Sequence, residues 1–499
     1  MHASSIVSYI IGLLVAATLV HALPRSPRSP FGHSRSSHIM KKRDNSTKYV
    51  FAHHMVGNTY PYTVDNWASD ISLAHSSGID GFALNVGSDD WQPARVQDAY
   101  TAAANSGTDF QLFISFDMSA LPGSSADDAQ TLRNYITIYA SHPNQLKVDG
   151  RVFASTFSGE SSTFGQDSVQ DGWKSQFTQH PDLTGENAVY FVPSFFVDPS
   201  TFNQYQGIMD GDFNWNSGWP VSLTSDQLNS ALSGAGTSLG SLTGAITSTI
   251  SQAVSQLVGT MDSDTQHLQA LSSVSSSLSY MAAASPWFFT HYGVSSYNKN
   301  WIYLADFFLY PTRWENLVAN RGSVDFVECI SWNDYGESHY LGPIEGAQPN
   351  SQAWVDGFNH TGWLDMTNYY ATAFKTGSYP QITQDKIYMW ARPHPKDANA
   401  PDSVGKPTGY EMDQDTLWAV VFATAPASVT LATSDSTSQT FSVPAGVSKL
   451  SVALTPGGYM HGTVSRNGAT VVDLNPSDYT FNPNPQTYNY NAYVAYASA

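Results

Sequence analysis

The chain has 499 residues, enough for a large single barrel with a smaller domain attached. A hydrophobic content of 41% fits a packed globular protein, while only 13% of residues are charged and aromatics are plentiful, with 13 Trp, 27 Tyr and 25 Phe. The net charge of −19 argues against a nucleic-acid partner, because the phosphate backbone would repel it.

At the N-terminus, Ile6–Val20 is an apolar run of signal-peptide length and too short for a comfortable membrane span. Val20-His21-Ala22 supplies small residues for cleavage, so residues 1–22 are expected to be a signal peptide. Arg25–Arg43 is basic and rich in Ser and Pro, and it ends in Lys41-Lys42-Arg43. Residues 23–43 are therefore expected to be a pro-segment trimmed at the dibasic site, leaving a mature chain from near Asp44. No later run is apolar enough to cross a bilayer, so a secreted protein, extracellular or in a cell wall, is expected, with no membrane partner. Cys329 is the sole cysteine, which excludes an intrachain disulfide. Asn45 and Asn359 head glycosylation sequons.

From Tyr49 onward, short apolar runs alternate with amphipathic or polar stretches. Strands are predicted at Tyr49–Val56, Ile79–Val86, Phe110–Phe116, Arg151–Phe157, Ala188–Val197, Gly207–Trp215, Tyr280–Thr290 and Val324–Ile330. Helices are predicted over Val64–His75, Arg95–Ala104 and Ala126–Ala140, from Pro311, and over Gly357–Lys375. Eight strands with helix-like connections match a (β/α)₈ barrel, expected over residues 44–380. A Ser/Thr/Gly-rich insert at about 219–278 is too long for a plain loop and is read as helices on the barrel rim, with a disordered insert as the alternative. Residues 386–499 are rich in β-branched and aromatic residues with Gly, Pro and Asn turns. They read as an all-β sandwich that binds polysaccharide or buttresses the barrel.

Polar and aromatic residues recur just after the apolar runs: His53, Asn85 with Asp89, Asp117, Trp215 with Asn216, His291 with Tyr292, and then the stretch Trp332, Asn333, Asp334, Glu337 and His339. A barrel gathers all these strand ends on one face. Asp334 and Glu337 lie three residues apart around Gly336 and beside aromatic rings, the parts a glycosidase needs: a proton donor, a base or nucleophile, and flat apolar faces. The longer Glu337 is assigned the acid role and Asp334 the base role, with the reverse order left open. Asp117 is the third carboxylate, and Glu328, mid-strand, is a rival to Asp334. The other residues named are expected to contact substrate. No His/Asp spacing calls for a metal or other cofactor, and a monomer is expected.

With these residues laid out, the chain resembles glycoside hydrolase family 71, the fungal α-1,3-glucanases or mutanases. The resemblance runs through VFAHHMVGNTYPYT, DGFALNVGSDDWQ, FQLFISFDMS, FVPSFF, FNWNSGWP, SPWFFTHYG, NKNW and ISWNDYGESHYLGP. It implies a (β/α)₈ barrel with an attached β domain and inverting hydrolysis of α-1,3-glucosidic bonds in fungal or bacterial α-1,3-glucan. It places the family's acidic pair on Asp334 and Glu337. Two other classes remain open from the residues alone: a glycosidase of another linkage on the same barrel, and a non-catalytic wall-polysaccharide binder.

Overall fold

The computed structural model describes residues 47–242 and 246–499. The signal peptide, the pro-segment and Asn45 lie outside the described residues. The centre of the fold is a nine-stranded sheet in which the short strand Lys147–Val148 runs antiparallel to its neighbour and the other eight run parallel. The parallel strands are β1 (Tyr49–Met55), β2 (Gly81–Val86), β3 (Gln111–Asp117), β4 (Arg151–Phe157), β5 (Val189–Phe191), β6 (Gly211–Asn214), β7 (Ser279–Ala284) and β8 (Phe326–Cys329). They pair in the order β5-β4-β3-β2-β1-β8-β7-β6, so the first and last strands lie side by side. Every residue of β2, β7 and β8 is buried, as expected for parallel strands covered on both faces. The sheet curls around an interior of rings: Phe51 lies 5.0 Å from Phe113, Phe113 4.8 Å from Phe153, and Phe153 5.3 Å from Phe326. Between the sheet's end strands, Phe191 O accepts the Asp210 N–H at 2.7 Å and Pro193 O accepts the Phe213 N–H at 2.9 Å.

Helices Val64–Ser76, Gln92–Asn105 and Ala126–Tyr139 fill the first three connections, and Leu309–Ala319 lies between β7 and β8. The start of Ala126–Tyr139 is fixed by a capping box: Ser125 Oγ accepts the Asp128 N–H, and Asp128 Oδ2 accepts the Ser125 N–H. The Ser/Thr/Gly-rich stretch carries helices Ser225–Gly234, Ser248–Val254 and Asp262–Val274. The last is bound to helix Leu309–Ala319 by a fully buried ion pair, with Arg313 Nη1 and Nη2 2.6 and 2.7 Å from Asp264, which also accepts the Tyr280 hydroxyl at 2.8 Å.

Two predicted strands are corrected. The run Ala188–Val197 yields only β5, because Pro193 has no N–H for a ladder and the chain turns into Phe195–Val197. Tyr280–Thr290 is two elements: β7 ends at Ala284, and Phe289–His291 leaves the sheet to pair antiparallel with Asn300–Ile302.

After helix Thr361–Thr376, two four-stranded antiparallel sheets face each other. One contains Lys386–Ala391, Thr416–Ala423, Gly446–Ala453 and Tyr493–Ser498; the other contains Ala427–Ser434, Thr437–Val443, His461–Arg466 and Ala469–Leu474. Strand alternation gives the first sheet two jobs. Ile387, Met389, Leu417, Ala419 and Val421 face the second sheet, whereas Tyr388, Trp390, Trp418, Val420 and Phe422 join the core around the nine-stranded sheet. The sheets approach closely at Gly462, where a Cβ would stand 2.7 Å from Ile387 and Met389 side chains. Arg392 bridges the two parts, 2.7 Å from Asp306 and 2.6 Å from Asp413, with its guanidinium over the Trp287 ring. Among the described residues, no helix is long and apolar enough to cross a membrane.

Candidate active site

The chain leaves β8 at Cys329 and enters a loop carrying Asp334 and Glu337. The loop is sewn to the end of β1. Trp332 N donates to His53 O at 2.7 Å, and Asn333 Oδ1 accepts the Met55 N–H at 2.7 Å. Asn333 Nδ2 returns a bond to Met55 O at 3.1 Å, and Asn58 Nδ2 donates to Asn333 O at 2.8 Å. Gly336 allows the close approach of Tyr292, since a side chain there would collide with the Tyr292 hydroxyl.

Asp334 and Glu337 are each 18% exposed and converge on the buried His339. His339 Nε2 lies 3.1 Å from Glu337 Oε2 and 3.8 Å from Asp334 Oδ2. Ser331 Oγ accepts the Asp334 N–H at 2.8 Å and lies 3.0 Å from His339 Nδ1. With that hydroxyl donating to Nδ1, the His339 Nε2–H is directed at Glu337. Lys299, from the loop before Asn300–Ile302, donates to the other Glu337 oxygen at 3.1 Å. An oxygen of each carboxylate and a nitrogen of His339 lie within 4.8 Å of one another, donor types that also suit a divalent cation. Lys299 already supplies a positive charge at that point.

The pair is electrostatically split. Burial, and then the Glu337 charge, push Asp334 above the ordinary carboxylate range, against the pull of His339 and Lys299. Burial acts in the same direction on Glu337, but Lys299 and His339 outweigh it and hold Glu337 below that range. The groups' surroundings thus favour a proton on Asp334, the reverse of the order expected from side-chain reach.

Asp117, at the end of β3, is raised by burial, which outweighs its bonds from the Ser119 hydroxyl (2.6 Å) and N–H (3.0 Å). His53 and Lys299 act on its charge as they do on that of Asp334, so the three carboxylates share one neighbourhood. His53 points from β1 towards Trp215, at a ring separation of 4.8 Å, and is held by Glu328 Oε1 at 2.7 Å from its Nδ1. Glu328 is fully buried, and burial raises its pKa. Its position inside the sheet makes it the group that orients His53. Trp215 also lies 6.5 Å from His339. Asn216 lines a cavity of about 330 Å³ between Trp219 and the insert helices. Asn85 is buried at the end of β2.

Other expected contacts are used elsewhere. Trp332 is fully buried, with its ring 5.0 Å from Phe82, and no face of it is open to a sugar. The Asn333 amide is consumed by Met55, and His291 is bonded to Asn300 at 2.8 Å and Asp402 at 2.9 Å. Tyr292 donates to Pro349 O at 2.8 Å. Asp89 is exposed and accepts from Gln92, shaping its own turn. Asn359 is exposed, with Oδ1 accepting the Thr361 N–H. Lys299 escaped the sequence reading; its only signal was the NKNW run, where the resemblance marked a segment without a role.

Residues 46–499 match the model of Glycosyl hydrolase family 71. The chain is 38% identical over 456 residues to a Schizosaccharomyces pombe protein named glucan endo-1,3-alpha-glucosidase agn1, covering 90% of this chain and 95% of that one. It is 31% identical over 488 residues to a Penicillium rubens mutanase, covering 96% and 94%. It is 30% identical over 419 residues to the Schizosaccharomyces pombe ascus wall endo-1,3-alpha-glucanase, covering 81% and 86%. The chain belongs to glycosyl hydrolase family 71.

Proposed function

We propose that this protein is a secreted α-1,3-glucanase in which Asp334 is the general acid and Glu337 the general base. The observation that carries the reading is the split pair: two carboxylates in one loop, one favoured protonated by burial and one held ionised by Lys299. Asp334 protonates the leaving oxygen, and Glu337 takes a proton from the attacking water. The family supports glycoside hydrolysis, and the names of three relatives support the α-1,3 linkage. Asp117, His53 and Trp215 bind sugar around the pair. The ascus-wall relative supports an extracellular site of action on wall glucan.

The scaffold for this chemistry is a (β/α)₈ barrel over residues 44–380, closed between β5 and β6, with an accessory β-sandwich over 386–499. The two backbone bonds from Asp210 and Phe213 to Phe191 and Pro193 support that closure. The enzyme acts as a monomer.

The test is reducing-sugar release from insoluble α-1,3-glucan, with α-1,4- and β-1,3-glucans as controls. Asp334→Asn and Glu337→Gln should each lose about 10²–10⁴-fold on the α-1,3 polymer. Activity persisting in either variant would move the role to Asp117 or Glu328. An aryl glycoside with a good leaving group separates the two roles. Asp334→Ala should retain activity on it, whereas Glu337→Ala should recover only when azide is added as a nucleophile.

A further inference from the structure

We infer that the exposed rings of Phe196 and Tyr297 are stacking platforms for glucosyl residues remote from the bond being cut, an inference that rests on the α-1,3-glucanase reading. A lone exposed apolar side chain is ordinary on a protein surface. What distinguishes these two is that each is joined to the catalytic pair by consecutive aromatic contacts. Phe196, 40% exposed just beyond β5, lies 5.2 Å from Phe157, which lies 4.8 Å from Trp215. Trp215 in turn is 6.5 Å from His339, which is bonded to Glu337. On the second path, Tyr297 is 55% exposed and 4.8 Å edge-on from Tyr292, whose hydroxyl packs against Gly336 between Asp334 and Glu337. Two residues beyond Tyr297, Lys299 is bonded to Glu337 itself.

The chemistry of both ledges suits a neutral polysaccharide. A pyranose ring offers one apolar C–H face, which an aromatic ring covers, and a polar edge, which needs hydrogen-bonding groups beside that ring. At the Phe196 ledge these groups are Glu160, which accepts the Phe196 N–H at 3.2 Å, and Ser158, bonded to Glu160 at 3.1 Å. At the Tyr297 ledge Lys299 is 46% exposed beside the pair. Among the described residues, the other exposed rings lack this connection: Tyr60 packs 5.2 Å from Trp91, Tyr379 stacks 5.3 Å from Tyr369 on helix Thr361–Thr376, and Tyr496 lies 5.9 Å from Tyr388 in the C-terminal sheet. Platforms away from the scissile bond act on long chains and are left empty by short ones.

The experiment compares kcat/KM on carboxymethylated α-1,3-glucan with that on the shortest α-1,3-linked oligosaccharide the wild-type enzyme hydrolyses. Phe196→Ala and Tyr297→Ala should each lower the polymer value about three- to tenfold, mainly through KM. The oligosaccharide value should stay within about twofold. Phe196→Tyr and Tyr297→Phe, which keep the ring, should restore the polymer value, and Tyr379→Ala should leave both substrates unchanged. Equal losses on both substrates would assign the rings a structural role and overturn the inference, as would an unchanged polymer value in both alanine variants. If wild-type enzyme cleaves α-1,3-glucan and these variants match it, only the platforms are refuted. If wild-type enzyme cleaves no α-1,3-glucan, the linkage reading falls and the platforms with it.

Discussion

Replacing Lys299 by methionine removes the ammonium 3.1 Å from Glu337 Oε1 while keeping the apolar stem. Two unit charges at the 3.1 Å separation attract by about 1.3 kcal/mol in bulk water and about 5 kcal/mol at an effective dielectric of 20. Lys299 is 46% and Glu337 18% exposed, so solvent and salt draw the value towards the lower bound. An interaction of about 1.5 kcal/mol corresponds to about one pH unit. The ammonium favours ionised Glu337, so its removal raises the Glu337 pKa, and the acid limb of the kcat/KM profile moves up by about one unit. Lys299 also lowers Asp334, so the alkaline limb moves in the same direction by less. The bell therefore shifts towards alkaline pH and narrows slightly. Initial rates on soluble α-1,3-glucan across a pH series measure this, with Lys299→Arg as the charge-retaining control. An unmoved acid limb in Lys299→Met, or an equal shift in Lys299→Arg, would refute the electrostatic assignment.

The contact of Gly336 with Tyr292 makes Gly336→Ala a probe of loop shape. It should lose most activity, and Tyr292→Phe in the same chain should restore part of it, because with the hydroxyl gone the nearest ring atoms are 3.2 Å from the new methyl. No recovery in the double variant, judged by glucan hydrolysis, would show that the loop fails for another reason. Arg313→Met strands the fully buried Asp264 charge and should cost about 3–5 kcal/mol in urea unfolding. Arg313→Met with Asp264→Leu should recover much of that loss, and a single-variant cost below about 1 kcal/mol would contradict the anchoring role given to this pair. The facing oxygens of Asp334 and Glu337 lie within 4.8 Å. Inverting pairs stand about 6.5–9.5 Å apart, so inversion requires arriving substrate to separate them. Proton NMR of the first turnover should then show the β-anomer; an α-anomer would assign retention.

The sheet was legible because its strands are apolar runs with few interruptions, and β1 to β4 lie within a residue or two of the predicted spans. Pattern failed where one apolar run serves two architectures. Nothing in YMAAASPWFFT announces that Ala284 ends a parallel strand while Phe289 begins an antiparallel one. That Asp334 and Glu337 share one short loop was legible, but the surroundings that set their proton affinities apart were not. Those surroundings include Lys299, which reaches Glu337 from 38 positions earlier in the chain. Trp332 escapes the pattern for a related reason: a ring after a strand faces either the cleft or the core, and its direction here is set by packing against Phe82. Composition had no means of expressing that choice.

The bonds between Asn333 and the end of β1 bear on when the enzyme becomes active. Asn333 and Met55 are 278 positions apart, and Asn58 reaches the same loop across 275. A chain still being synthesised has β1 long before it has anything to hold the loop against. The geometry of the Asp334–Glu337 loop therefore exists only after β1 and β8 have met, a contact whose loop-closure entropy is among the largest the fold must overcome. The loop's shape thus reports a long-range strand pairing rather than local order, and fragments ending before β8 cannot form it.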